Sequence, residues 1–304
     1  MIRRRRHSGR DPESSGVFLD SGVRQNDGVF SRCLLFCATA VSASAVLAIF
    51  GFLLWFSLPV FQKDALASLM SWHWRPLRGE FGILPMLAGS LCLASSAMLL
   101  AYPLALGICC FVHGAGPARA ARPLMLAVRF MTSVPTVVYG LVSVLLLVPL
   151  IRNAFSGSGF SWLAAGLVLA VLVVPTVALI IDGQFRQVQA GIGVTGAALG
   201  FSQIQQLLRL TLPLSARGLG AAAALGFGRA IGDTLIPLML AGNAARLPHS
   251  LLDPLRTLTS HIALVVATDS QSLVYASLFA CGVVLFLVSL LINLALRGLR
   301  GGHD

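Results

Sequence analysis

The apolar residues of this chain come in blocks too long for the core of a water-soluble domain. Residues 33–56, 81–112, 130–151, 162–181 and 270–296 carry no charged side chain. A sixth block, 218–245, is interrupted only by Arg229 and Asp233. Crossing the hydrocarbon core of a bilayer takes about 20 consecutive apolar residues. The pattern therefore predicts an all-α integral membrane protein with six transmembrane helices. Short alternating segments of the kind that build membrane barrels are missing. Only 11% of the 304 residues are charged, against roughly a quarter in soluble domains.

The formal net charge of +11 reads as topology rather than as a nucleic-acid surface, because Arg and Lys collect in cytoplasmic loops. An even span count puts both termini on one side. Placed in the cytoplasm, they leave fifteen Lys and Arg residues inside, six outside, and Arg229 in the membrane. Residues 1–32 are polar and Arg-rich and are expected to be a disordered basic cytoplasmic tail. The block that follows is too long for a signal-peptide core, so 33–61 is expected to be an uncleaved first transmembrane helix. Trp72-His73-Trp74 in the outer segment resembles an interfacial aromatic belt.

Several chemistries find no support. The six cysteines lie in or beside apolar spans, without metal or disulfide spacing, and read as buried thiols. No metal site and no catalytic Ser-His-Asp or Cys-His arrangement is expected. Lys63 is the only lysine, so no Walker A loop is present. Gly191-Ile192-Gly193-Val194-Thr195-Gly196 matches the dinucleotide pattern, but it follows a membrane span rather than a strand. No acid lies between Asp182 and Asp233 to take a ribose.

Ser133-Val134-Pro135 and Pro149 fall within the third block. Membrane helices tolerate proline, and Pro135 reads as a kink, a gate or a packing feature. The loop 183–215 is the longest inner connection. Its Ala197-Ala198-Leu199-Gly200, the run Ile204–Arg209 and Leu212-Pro213 predict a short helix, a glycine turn and a second helix stopped by proline. Such a helix suits either docking in a partner's groove or lying on the bilayer.

Arg229 and Asp233 are four residues apart and are expected to share one helix face. Charges inside a bilayer are costly and normally face a bundle interior or an aqueous path. Gly228 and Gly232 form G-x-x-x-G, which permits close helix packing. The pair reads either as a lock between helices or as a substrate-path site. The planar fork of an arginine suits an oxyanion, and the acid would hold it when no substrate is bound.

Two sets of motifs carry a resemblance. The inner loop resembles the coupling loop of ABC importer permeases at Gly200 and Leu212-Pro213, although Val194-Thr195-Gly196 stands where that family has Glu-Ala-Ala. Gly228-Arg229-Ala230-Ile231-Gly232-Asp233-Thr234 is similar to the Gly-Arg-Ala-Leu-Gly-Glu-Thr motif of phosphate importer permeases, with Asp for Glu. Phe81–Pro85, Ser133–Gly140, Ala241–Asn243, Pro248–Pro254 and Leu258–Ile262 match in order, which favours the PstC type. The resemblance covers 80–297 and implies a type I-like permease bundle that includes the coupling loop 183–215. It implies inward movement of inorganic phosphate by alternating access in the bacterial inner membrane. Arg229, Asp233 and Thr234 would lie on the substrate pathway. Ala198, Leu199, Gly200, Leu212 and Pro213 would form the coupling loop, and Pro135, Gly228 and Gly232 would serve packing or gating. The implied partners are two ABC ATPase subunits that bind the ATP, a sister PstA-type permease, an external phosphate-binding protein and membrane lipid. This chain would carry no cofactor of its own. The alternatives are another oxyanion such as tungstate, molybdate or sulfate, an ion-coupled secondary transporter, and a non-transporting scaffold.

Overall fold

The computed structural model describes residues 17–61, 70–75, 78, 80–155, 157–266 and 273–300. The chain divides into two units, 1–52 and 53–304. The first helix, α1, runs over Val17–Phe61. Residues 17–32, expected as part of a disordered tail, are therefore helical. Once the apolar span has nucleated a helix, adding residues at its end costs little. Residues 1–16 of the expected tail lie outside the described residues. In the first unit, Phe36 and Leu47 are 76% and 70% exposed, as befits a lipid-facing surface.

The second unit opens with a two-residue hairpin, β1 (Trp74–Arg75) against β2 (Glu80–Phe81). The helices that follow are α2 (Leu84–Cys110), α3 (Ala118–Ser133), α4 (Thr136–Ala154) and α5 (Trp162–Ala198). Short pieces α6 (Gln203–Gln206) and α7 (Leu212–Leu214) lead to α8 (Ala216–Gly232), α9 (Leu235–Leu240), α10 (Leu258–Val265) and α11 (Leu273–Arg300). Two wide π-helical segments, Phe111–Ala115 and Leu207–Thr211, extend α2 and join α6 to α7.

At the centre is α5. Ala165, Leu169, Val173, Val177, Ile181 and Phe185 recur every four residues and are all fully buried. Opposite them α2 presents Ala94, Ala97, Ala101 and Ala105, which are buried to within 1%. Small side chains let two helices approach closely inside a membrane. Polar ties reinforce the contact: Trp162 Nε1 donates to Ser96 Oγ at 2.9 Å, and the Cys109 thiol reaches Ala178 O at 3.2 Å. The outer connection closes over the start of α5. Trp162 N–H donates to Asp253 O and Leu163 N–H to Leu251 O, at 2.9 and 2.7 Å. Ser161 Oγ caps Ala164 N–H. These bonds satisfy amides that a helix start otherwise leaves unpaired.

The elements differ from the sequence expectation in three places. Among the described residues, four helices are long and apolar enough to cross a bilayer: Ser31–Leu58, Leu84–Gly114, Thr136–Ala154 and Trp162–Ala198. A fifth is reached only if Gln203–Leu214 and Ala216–Gly232, bent by 70°, count as one, and Ser277–Ile292 is a shorter apolar stretch. The expected six are thus not reproduced by helix length and composition. The third block is not one helix from 130. It breaks at Val134–Pro135, both extended, because a residue before proline is pushed out of the α region while proline itself suits a helix start. The fourth span does not stop at Asp182. α5 runs on to Ala198, 37 residues in all and about 55 Å at the α-helical rise, and absorbs the first half of the expected coupling loop.

The tight point between α8 and the core is Gly226. A Cβ there would lie 2.5 Å from Val177 Cγ2 and 3.0 Å from Met98 Sδ. Gly226→Val is expected to destabilise the bundle by about 1–3 kcal/mol through overpacking. The check is thermal unfolding of the detergent-solubilised protein. An unchanged midpoint would mean that α8 is not held against α2 and α5 in this way.

Candidate functional site

Arg229 lies exposed in the last turn of α8, and Gly232 is the last helical residue. Asp233 follows in an extended conformation, φ −71° and ψ 131°. The expected shared face is therefore not formed. The Asp233 carboxylate accepts the Ile236 N–H at 2.9 Å, capping α9. Its backbone carbonyl accepts the Thr259 hydroxyl at 2.9 Å. Among the described residues the only ion pairs join Asp182 to His113 and Arg186; Arg229 has none. The propensity of aspartate to bond backbone N–H groups near a helix start competes with helix continuation, and here it wins.

A Cβ at Gly228 or Gly232 would meet nothing within 4 Å. The close packing expected of this G-x-x-x-G is made by Gly226 instead. Thr234 is half-buried between α8 and α9, and Pro135 precedes the first turn of α4. Lower on α8, Arg217, Gly218, Ala221 and Leu225 line a cavity of about 630 Å³ facing Leu179, Ile180, Gly183 and Gln184 of α5. Arg229 thus stands at the open end of a helix whose flank borders a cavity.

The inner connection is built much as its residues suggest. Ala198 ends α5, and Gly200 turns the chain at φ +72°, a conformation that costs other residues. Ser202 and Gln205 form a reciprocal capping box. Leu199, Ile204, Leu208 and Leu214 are at least half exposed. The Gln206 amide donates to Gly193 O at 3.2 Å, and a Cβ at Gly196 would collide with that side chain. The dinucleotide-like glycines are therefore helical, and one of them admits Gln206. Leu212-Pro213 does not stop the helix. Both lie within the run Gln203–Leu214, and the 70° bend comes at Ser215.

A cluster that sequence reasoning missed sits where α2, α5 and the inner connection meet. Asp182 is 4% exposed. Its carboxylate lies 2.8 Å from His113 Nε2 and 3.1 Å from Arg186 Nε. His113 Nδ1 faces Gln189 Oε1 at 2.9 Å. His113 belongs to the first π segment, whose Gly114 lies under Leu207 of the second. One signal was available: Asp182 is the only acid between Glu80 and Asp233. On the outer connection, the exposed Asp253 carboxylate accepts the His249 and Ser250 N–H groups at 2.8 and 3.0 Å. These donors hold it below the ordinary carboxylate range.

With this geometry in view, comparisons with known proteins agree on a class. The model of the family described as binding-protein-dependent transport system inner membrane component matches residues 104–300. The phosphate transport system permease protein PstC of Xylella fastidiosa (strain 9a5c) is 29% identical over 282 residues, 86% of each chain. The probable ABC transporter permease protein YqgH of Bacillus subtilis (strain 168) is 30% identical over 281 residues, 90% of this chain and 91% of its own. A chain of a bacterial ABC transporter involved in the import of the acidic polysaccharide alginate superposes with a TM-score of 0.57 at 12% identity, over 92% of this chain and 100% of its own. That last likeness speaks to fold alone.

Removing the buried member of the missed cluster is expected to cost more than removing the exposed one. Asp182→Ala leaves the buried His113 ring short of an acceptor, at about 1–3 kcal/mol. Arg186, 57% exposed, is replaced by Gln for less than about 1 kcal/mol. Thermal unfolding of the two variants gives the order, and a reversed order refutes the assignment of Asp182 as the anchor.

Proposed function

The chain belongs to the family of binding-protein-dependent transport system inner membrane components, and from that premise we propose that it is a permease subunit of an ATP-driven importer of inorganic phosphate. It is a multi-pass membrane protein and a transport permease. The finer reading concerns cargo, partners and residues.

One observation carries the proposed path. Arg229 projects, without a carboxylate partner, from the end of an apolar helix whose nearby Gly228 and Gly232 leave open space. A guanidinium there offers an oxyanion two parallel charged hydrogen bonds. The Thr234 hydroxyl, just past the end of α8, is a further donor. Asp233 takes a different part from the direct hold on Arg229 expected from spacing. By capping α9 it fixes the break that follows the turn carrying Arg229. Its negative charge nearby also keeps an anion from binding too tightly, which a transport path requires.

The coupling contact is assigned to Ala198, Leu199, Gly200 and the run through Leu212-Pro213, presented to a groove on a partner ATPase. Each working complex would hold two ATPase subunits, which bind and hydrolyse the ATP, a sister PstA-type permease and an external phosphate-binding protein. No cofactor is assigned to this chain. Both termini and the inner connection are assigned to the cytoplasm, in line with the distribution of Arg and Lys. The permease domain is taken as 80–297, with the coupling segment 183–215 inside it and the first transmembrane helix at 33–61.

The test is phosphate uptake in cells carrying the partner set. Arg229→Ala is expected to lower uptake roughly 10- to 100-fold at equal membrane expression, the worth of a charged bidentate contact. Asp233→Asn keeps an oxygen for Ile236 N–H and is expected to lose less than Asp233→Ala. Full uptake by both Arg229→Ala and Asp233→Ala would remove this site from the path. Competition by tungstate, molybdate or sulfate would change the cargo, and uptake without the ATPase would make the chain an ion-coupled transporter.

A further inference from the structure

Beside the Asp182 cluster lies a cavity of about 390 Å³, lined by His113, Arg122, Arg186, Gln189 and Gln203. These side chains come from the first π segment, α3, α5 and α6. Convergence of polar groups from separate elements on one concavity is the usual form of a small-ligand site. We propose that this cavity is a second anion site, one that takes a phosphate group by the paired guanidinium groups of Arg122 and Arg186. Its cytoplasmic placement rests on the permease reading; its chemistry does not.

Positive charge around this cavity is left without a matching acid. Between Phe81 and Gly232 the chain has a single acid, Asp182. That carboxylate is already engaged by His113 Nε2 and by Arg186 Nε. The bond to Nε orients the Arg186 guanidinium and leaves its two terminal nitrogens for another acceptor. Both ring nitrogens of His113 are engaged, with Asp182 Oδ1 and Gln189 Oε1. Arg122 has no hydrogen bond or ion pair among the described residues and sits in the early turns of α3. Arg119 also stands there, and no acid or side-chain cap does. Cations at that end of a helix oppose its dipole. Two guanidiniums therefore border one cavity, and the single acid of this region is engaged by Arg186 and His113. A planar fork on each matches the oxygens of a phosphate.

The position gives such an anion a mechanical consequence. Gln203 is the first residue of α6, the start of the coupling segment, and Arg122 and Arg186 belong to α3 and α5. An anion held among them ties the coupling segment to the bundle. Any conformational change that moves that segment would then alter anion affinity, and the reverse holds by linkage.

Free phosphate and a lipid headgroup share this chemistry, and one experiment separates them. Thermal unfolding is followed for the full-length chain in nanodiscs of neutral phosphatidylcholine, with inorganic phosphate or chloride at matched ionic strength. It is repeated in nanodiscs containing phosphatidylglycerol. Wild type, Arg122→Gln, Arg122→Lys and Arg229→Ala are compared. The expected result is a rise of about 2–4 °C in phosphate at several times its Kd. The rise is kept in Arg229→Ala, reduced in Arg122→Lys and lost in Arg122→Gln. A rise in phosphatidylglycerol alone, again lost in Arg122→Gln, also supports the site and names a lipid phosphate as its occupant. If Arg122→Gln responds as wild type does to both, the proposal is overturned. If the response is lost in Arg229→Ala instead, the anion binds on the transport path and this cavity is not its site.

Discussion

The contact between α2 and α5 is the constraint on which the rest of the second unit depends. In a bilayer the lipid tails are as apolar as the side chains, so helices gain little simply by hiding apolar surface from lipid. What they gain comes from close packing. The alanine row of α2 provides it by letting α5 approach without intervening bulk, and Trp162 and Cys109 add directional ties at either end. α8 then seats against both helices through Gly226. The open side of α8, with Arg229 and the cavity below it, exists because the opposite side is fixed.

Backbone breaks at membrane depth are tolerated only where the freed groups find partners inside the protein. The break after Gly232 meets that condition. The Asp233 side chain takes the Ile236 N–H, and its carbonyl takes the Thr259 hydroxyl. Arg229 stands in the last turn before the break.

The inner connection is joined to the bundle by continuity rather than by a flexible loop. α5 carries the chain from the buried core to Ala198 without interruption, and the Asp182 cluster braces it where it leaves the packed region. The Gly200 turn then folds the chain back, and Gln206 bonds to Gly193. The segment after Gly200 is thereby continuous with α5, which packs against α2 and α8.

Charge-free blocks determined the class of this protein without help from coordinates, because no soluble chain keeps such runs. The glycine turn at Gly200 and the helix after it were also legible, since φ > 0 and capping are local requirements. The order of short motifs from Phe81 to Ile262 identified the family for the same reason. The Arg229–Asp233 pairing was not legible. A spacing of four implies a shared face only if the helix continues, and whether it continues was decided by Ile236 and Thr259. Nor could sequence separate the break at Val134–Pro135 from a kink, or find His113 beside Asp182 across 69 positions. Local chemistry is written in neighbouring residues. Which distant group satisfies a buried carboxylate or a broken backbone is settled only when the helices pack.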